Sequence, residues 1–155
     1  QVSGNARVSG NAHVSGDAWV SGDAQVSGNA FVSGDAWVSG DAQVSGDAWV
    51  SGNAHVSGDA WVSGNARVYG NAWVSGNARV SGDGLIVWFS NVGSENGTLT
   101  AYNAKDNEIE VTRGCFKGSI DEFLAASEKK HDDQTHREYR MLIEVAHSRI
   151  TRARK

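Results

Sequence analysis

Over the first half of the chain a valine recurs at every sixth residue from Val2 to Val80, and four positions after each stands an alanine, from Ala6 to Ala78, with Gly84 closing the series. The other places hold one variable residue, a serine, a glycine and an Asn or Asp, so residues 1–84 read X-Val-Ser-Gly-(Asn/Asp)-Ala fourteen times without a gap. Only two places depart from the rule: Tyr69 stands where Ser is expected and Gly84 where Ala is expected. Alternation over Ala, X, Val and Ser puts Ala and Val on one side of a short strand and X and Ser on the other. Gly followed by Asn or Asp supplies the residue types that tolerate positive φ at a corner. Each unit therefore predicts one strand and one turn, and tandem repetition at a fixed period predicts a solenoid whose units stack.

After Gly84 the pattern changes. Residues 85–92, 98–104 and 108–113 alternate as strands, separated by the turn signals Ser94-Glu95-Asn96-Gly97 and Asp106-Asn107, and predict a small antiparallel meander. Two helices are expected next. Ser119-x-x-Glu122 and Thr135-x-x-Glu138 read as capping boxes, the first ahead of Ile120, Phe123 and Leu124, the second ahead of Tyr139, Leu142, Ile143, Ala146 and Ile150 at helical spacing. The resulting βββαα unit is expected to cover the C-terminal coil, whose edge would otherwise be unpaired.

The pairing of Val2 with Ala6, Val8 with Ala12 and so on to Val80 with Gly84 resembles the hexapeptide-repeat, left-handed parallel β-helix family, and Ile86 starts a fifteenth match. That resemblance implies three units per triangular coil, so residues 18 apart lie above one another and fourteen units give four to five coils. The expected fold is mostly β: a left-handed β-helix over residues 1–86 and a small α+β domain over residues 87–155. A second resemblance rests on Val111-Thr-Arg-Gly-Cys-Phe-Lys-Gly118, Asp121-Glu-Phe123, His131 and Glu138-Tyr139. These residues resemble a C-terminal module of uncharacterised bacteriophage and prophage proteins, which implies a phage or prophage origin but no activity. Asp132 stands where such sequences often have Gly.

The X column is the variable one, so any function of the helix is written there. Grouped by 18, one face carries Gln1, Trp19, Trp37, His55 and Trp73, the second Arg7, Gln25, Gln43, Trp61 and Arg79, and the third His13, Phe31, Trp49, Arg67 and Leu85. Five of the six tryptophans thus fall at outward positions, and monomers seldom leave so much contiguous apolar surface in water. Trp19, Trp37, Trp73, Phe31, Trp49, Trp61 and His55 are the candidate interface residues. The family resemblance implies a homotrimer of parallel prisms. Two rival readings remain. Hexapeptide acyltransferases use a catalytic His in a cleft between prisms, which makes His13 and His55 candidates, although residues 1–84 hold no lysine and no interrupting loop. Tryptophan faces also suit pyranose rings, so a glycan is the other possible ligand.

Composition narrows the choice further. Residues 1–84 hold seven Asp against three Arg, whereas residues 85–155 hold eleven acidic and eleven basic side chains, for a net charge of −4. Nineteen glycines without a proline exclude collagen, and the valine and tryptophan content excludes a flexible linker. No apolar run approaches a membrane span, and no signal sequence opens the chain. The basic end, Arg149, Arg152, Arg154 and Lys155, complements a helix dipole; the acidic balance and the missing groove-reading motif argue against nucleic acid. Asp23, Asp41 and Asp59 would stack on one edge, but their spacing fits no calcium repeat. Cys115, His131 and His136 match no compact zinc pattern, and Cys115 reads as a buried thiol. No metal, cofactor or catalytic residue is therefore assigned. The overall expectation is a soluble, non-enzymatic structural or protein-binding module, in the bacterial cytoplasm or a phage particle, self-associating, with a host protein to engage or inhibit as a further partner. Gln1 lies inside the first unit, without initiator Met or capping element, and reads as part of a longer or processed chain.

Overall fold

A computed structural model describes residues 1–93 and 97–154. Residues 94–96 of the expected hairpin turn and Lys155 of the basic end lie outside the described residues. The repeat forms a parallel β-solenoid of about four turns. Among the described residues it contains thirteen two-residue strands, β1 (Arg7–Val8) to β13 (Arg79–Val80), each an X-Val pair. Strands three apart in sequence pair in parallel with an 18-residue register, for example Trp19 with Trp37, Phe31 with Trp49 and Trp61 with Arg79. The result is three sheets, one per face.

Valine and alanine fill the interior. From Ala18 to Val68 every repeat Val and Ala has no exposed surface. At the first coil the column opens, and Val2 and Val8 are 48% and 37% exposed. The corners require glycine twice over: Gly40 has φ of 64°, and a Cβ there would lie 3.0 Å from the Gly58 nitrogen. The next residue carries the stacking polar group. The Asn11 amide donates to Asn29 Oδ1, and the Asn29 amide donates to Asp47 Oδ1, each at 3.2 Å.

The C-terminal region is an antiparallel sheet with two helices. Its strands are β14 (Ile86–Val92), β15 (Gly97–Asn103), β16 (Ile109–Arg113) and β17 (Phe116–Ser119), in that spatial order. The fourth strand was not expected from the sequence. Gly114, at φ of 58°, makes the tight turn that lets Phe116 pair back onto Arg113. Leu85, expected on the third outer face, is instead buried in a short 3₁₀ turn, and Ile86 opens β14 against Tyr102. Helix α1 (Ile120–Lys130) starts at the expected capping box: Ser119 Oγ accepts from the Glu122 N–H, and the Glu122 carboxylate accepts from the Ser119 N–H.

Helix α2 (Asp133–Ala153) corrects the second capping-box reading. Asp132 is the N-cap, accepting from the Thr135 N–H at 2.7 Å, so the helix begins before Thr135. This contact holds the Asp132 carboxyl below the usual range. Glu138, released from a capping role, accepts instead from the Gly93 N–H. Phe123, Tyr139, Ile143, Ala146 and Ile150 bury the inner faces of both helices against the sheet.

Candidate functional site

Outward residues of neighbouring coils come to lie in register because the coils are identical, and the aromatic ones stack. On one face the ring centroids of Trp19 and Trp37 are 5.2 Å apart, those of Trp37 and His55 5.5 Å, and those of His55 and Trp73 4.6 Å. A second ladder runs His13, Phe31, Trp49 at 5.0 and 5.2 Å, and the Arg67 guanidinium ends it 5.2 Å from the Trp49 ring. On the remaining face the aromatic content is one ring, Trp61, covered by the Arg79 guanidinium at 4.5 Å. Each stacked pair is worth about 0.5–1.5 kcal/mol beyond its buried area.

The candidate interface residues are thus placed outward. Trp19, Trp37, Trp49, Trp61 and Trp73 are each 43–47% exposed and Phe31 37%, while His55, between two tryptophans, is half-buried. What they offer is specific. Interplanar angles of 2–22° along the two ladders mean that ring faces meet other ring faces, so solvent meets mainly ring edges. Pyranose stacking wants an open face, which a continuous ladder offers only at its ends.

The two histidines sit in the ladders as rungs. Nδ1 of His13 lies 2.9 Å from the Asn11 carbonyl and Nδ1 of His55 3.1 Å from that of Asn53. A carbonyl only accepts, so Nδ1 carries the proton in both rings and donates. Along one corner Asp23, Asp41 and Asp59 follow one another, and among the described residues no group of three His, Cys, Asp or Glu could hold a metal ion. No helix of the structure is long and apolar enough to cross a membrane.

The sixth tryptophan serves the junction between the two regions. Trp88 of β14 meets Tyr69 edge-on, with centroids 4.7 Å apart. The other departure, Gly84, has the same cause, because a Cβ there would lie 2.6 Å from Ala153 Cβ. Both exceptions to the repeat therefore mark where the C-terminal region docks, a signal present in the sequence whose meaning needed the structure. Docking also satisfies the last coil's edge. The Trp73 N–H donates to Thr100 Oγ1, its carbonyl accepts from Thr112 Oγ1, and Ser75 both donates to and accepts from the Tyr102 hydroxyl. The Asn77 N–H donates to Glu110 Oε1, the Asn77 carbonyl accepts from the Lys105 N–H, and the Arg79 carbonyl accepts from the Asn103 amide. Burial pushes the Tyr102 phenol up to about 12, and burial likewise raises Glu110.

Cys115 corrects another expectation: it is exposed, at the turn between β16 and β17. It shares a cavity with His131, while His136 stands behind Ser127, its Nδ1 3.0 Å from Ser127 Oγ.

Comparison with known proteins bears on the solenoid. No curated protein and no solved structure matches the chain. The family model described as YdcK Beta solenoid repeat matches residues 1–16, 6–22, 24–40, 42–58 and 60–76, so the N-terminal region is similar to that repeat and is a repeat β-solenoid.

Proposed function

We propose that the chain is a non-enzymatic structural or protein-binding module whose copies assemble side by side through the aromatic ladders. The observation that carries this reading is the pair of continuous ladders on two of the three faces. Their rungs repeat at the coil spacing of about 4.8 Å, and a surface with that axial repeat is met best by another with the same repeat. A second copy of the chain, running parallel, has it. Large exposed apolar patches mark interaction sites in soluble proteins, and aromatic rings are enriched at interface cores. Two ladder-bearing faces per prism fit a closed ring, since each copy then has one face for each neighbour. We take the solenoid to be left-handed and the ring to be a homotrimer, in line with the hexapeptide-repeat resemblance.

The resemblance of residues 108–145 to phage and prophage modules supports a phage or prophage origin, and a host protein as the further partner. The acyltransferase reading draws on His13 and His55. It is the weaker one, because both rings are stacked as rungs and residues 1–84 bring no lysine or interrupting loop beside them. Light-scattering mass across a dilution series tests the proposal: a mass three times that of the chain is expected, shifting toward monomer in Trp37→Ser/Trp49→Ser. A monomer at every concentration overturns it. Acetyl-CoA binding lost in His55→Ala would favour the enzyme instead.

A further inference from the structure

Away from the ladders, a cavity of about 470 Å³ opens where the turn between β16 and β17 faces the last turns of α1. Its size is that of a small-molecule site. Phe116 and Phe123 form an aromatic wall, their centroids 5.3 Å apart and edge to face. Ser127, only 3% exposed, supplies a buried hydroxyl to the lining. That hydroxyl and His136 Nδ1 are 3.0 Å apart and either can be the donor. When His136 Nδ1 holds the proton, the Ser127 hydroxyl hydrogen is free to turn toward a ligand. Arg113, Lys130 and His131 stand in the lining, and no carboxylate does among the described residues. The nearest acid in sequence, Asp132, is engaged at the start of α2.

From this juxtaposition we infer that the cavity binds a small organic anion: an aromatic or branched apolar body against Phe116 and Phe123, with a carboxylate or sulfonate toward Lys130, His131 and the Ser127 hydroxyl. An apolar pocket with a few convergent polar groups is the general form of such sites, the polar groups fixing orientation. The charge sign follows from the lining, because its charged side chains are basic and none is acidic among the described residues, which favours an anion over a cation. This site stands on the C-terminal region alone and is independent of how the solenoids assemble.

Anilinonaphthalene sulfonate, an apolar aromatic anion, is the probe. Titrated into the full chain, it is expected to give a saturable, blue-shifted emission. Lys130→Glu is expected to weaken its binding by about tenfold. Ala126→Trp, at an exposed position of α1 that lines the cavity, is expected to remove binding by filling the space. Far-ultraviolet circular dichroism establishes that both variants fold. Unchanged affinity in Lys130→Glu overturns the anion assignment. Binding that survives in Ala126→Trp overturns the location and places the probe on another apolar surface, such as the ladders.

Discussion

In the solenoid each coil meets a near-copy of itself 18 residues away, so one short rule settles burial, hydrogen bonding and corner geometry at every level. In the C-terminal region no residue repeats, and the same needs are met by individual side chains: Thr100, Thr112, Tyr102, Glu110 and Asn103 close the edge that another coil would have closed. Identical neighbours make the solenoid uniform and intolerant, since an error in one coil is felt in the next. Individual contacts make the junction specific, and each can be removed singly.

The largest expected effect lies in the solenoid core. Val50→Asp puts a carboxylate among Val and Ala side chains with no exposed surface, a cost of several kcal/mol, and is expected to abolish cooperative thermal unfolding. The same change at Val8, 37% exposed, should leave a folded protein by circular dichroism; equal damage at both sites would contradict the picture of a dry column opening at the first coil.

Glycine offers the next test. Gly40 and Gly114 both adopt positive φ, 64° and 58°, but only Gly40 faces another backbone, at 3.0 Å; nothing lies within 4 Å of a Cβ at Gly114. Gly40→Ala is expected to cost about 2–4 kcal/mol, from strain and crowding together. Gly114→Ala carries the strain alone, about 1–2 kcal/mol. Urea unfolding distinguishes them, and similar values would mean that coil spacing yields more readily than its geometry indicates.

At the junction, Tyr102→Phe removes the hydroxyl that both donates to and accepts from Ser75, leaving edge groups unpaired at a cost of about 1–3 kcal/mol. Hydrogen exchange should show faster opening of the last coil while the middle coils stay protected. Uniformly faster exchange would mean that the two regions unfold as one.

The smallest effect is a pH dependence. Burial raises the Glu110 carboxyl above its ordinary 4.5, so the folded state binds that proton more tightly than the unfolded chain does. The sign follows: at neutral pH the cost of the buried charge is fully present, and it is relieved as pH falls through the raised value toward 4.5. Glu110→Gln keeps an acceptor for the Asn77 N–H and does not titrate. It is expected to melt higher than the parent at neutral pH, with the gap narrowing on acidification; a constant or widening gap would contradict it.

Much of the site was legible in the X column, because a fixed period, once the number of units per coil is known, fixes which residues lie above one another. With the three units per coil that the hexapeptide-repeat resemblance implies, His13, Phe31 and Trp49 could be assigned to one line. That rings face each other and leave edges outward could not, since side-chain rotation is free in a sequence. The C-terminal region was less legible. Strand β17 was missed because Phe116–Ser119 is short and holds a glycine, and the second capping box was misplaced because Thr135-x-x-Glu138 and Asp132-x-x-Thr135 compete for one helix start. Cys115 was read as buried from residue type, whereas the tight turn at Gly114 carries it to the surface.

By itself, then, the sequence determined the period, the Val and Ala interior and the glycine corners, because all of these follow from local alternation repeated at a constant interval, while the alignment of the outward residues needed three units per coil as well. Only the tertiary structure decided what Tyr69 and Gly84 are for, how the last coil's N–H and carbonyl groups are satisfied, and that Cys115, Ser127, Lys130 and His131 share one cavity. Those contacts join residues far apart in the chain, and no local pattern encodes which distant side chain will arrive to complete an edge.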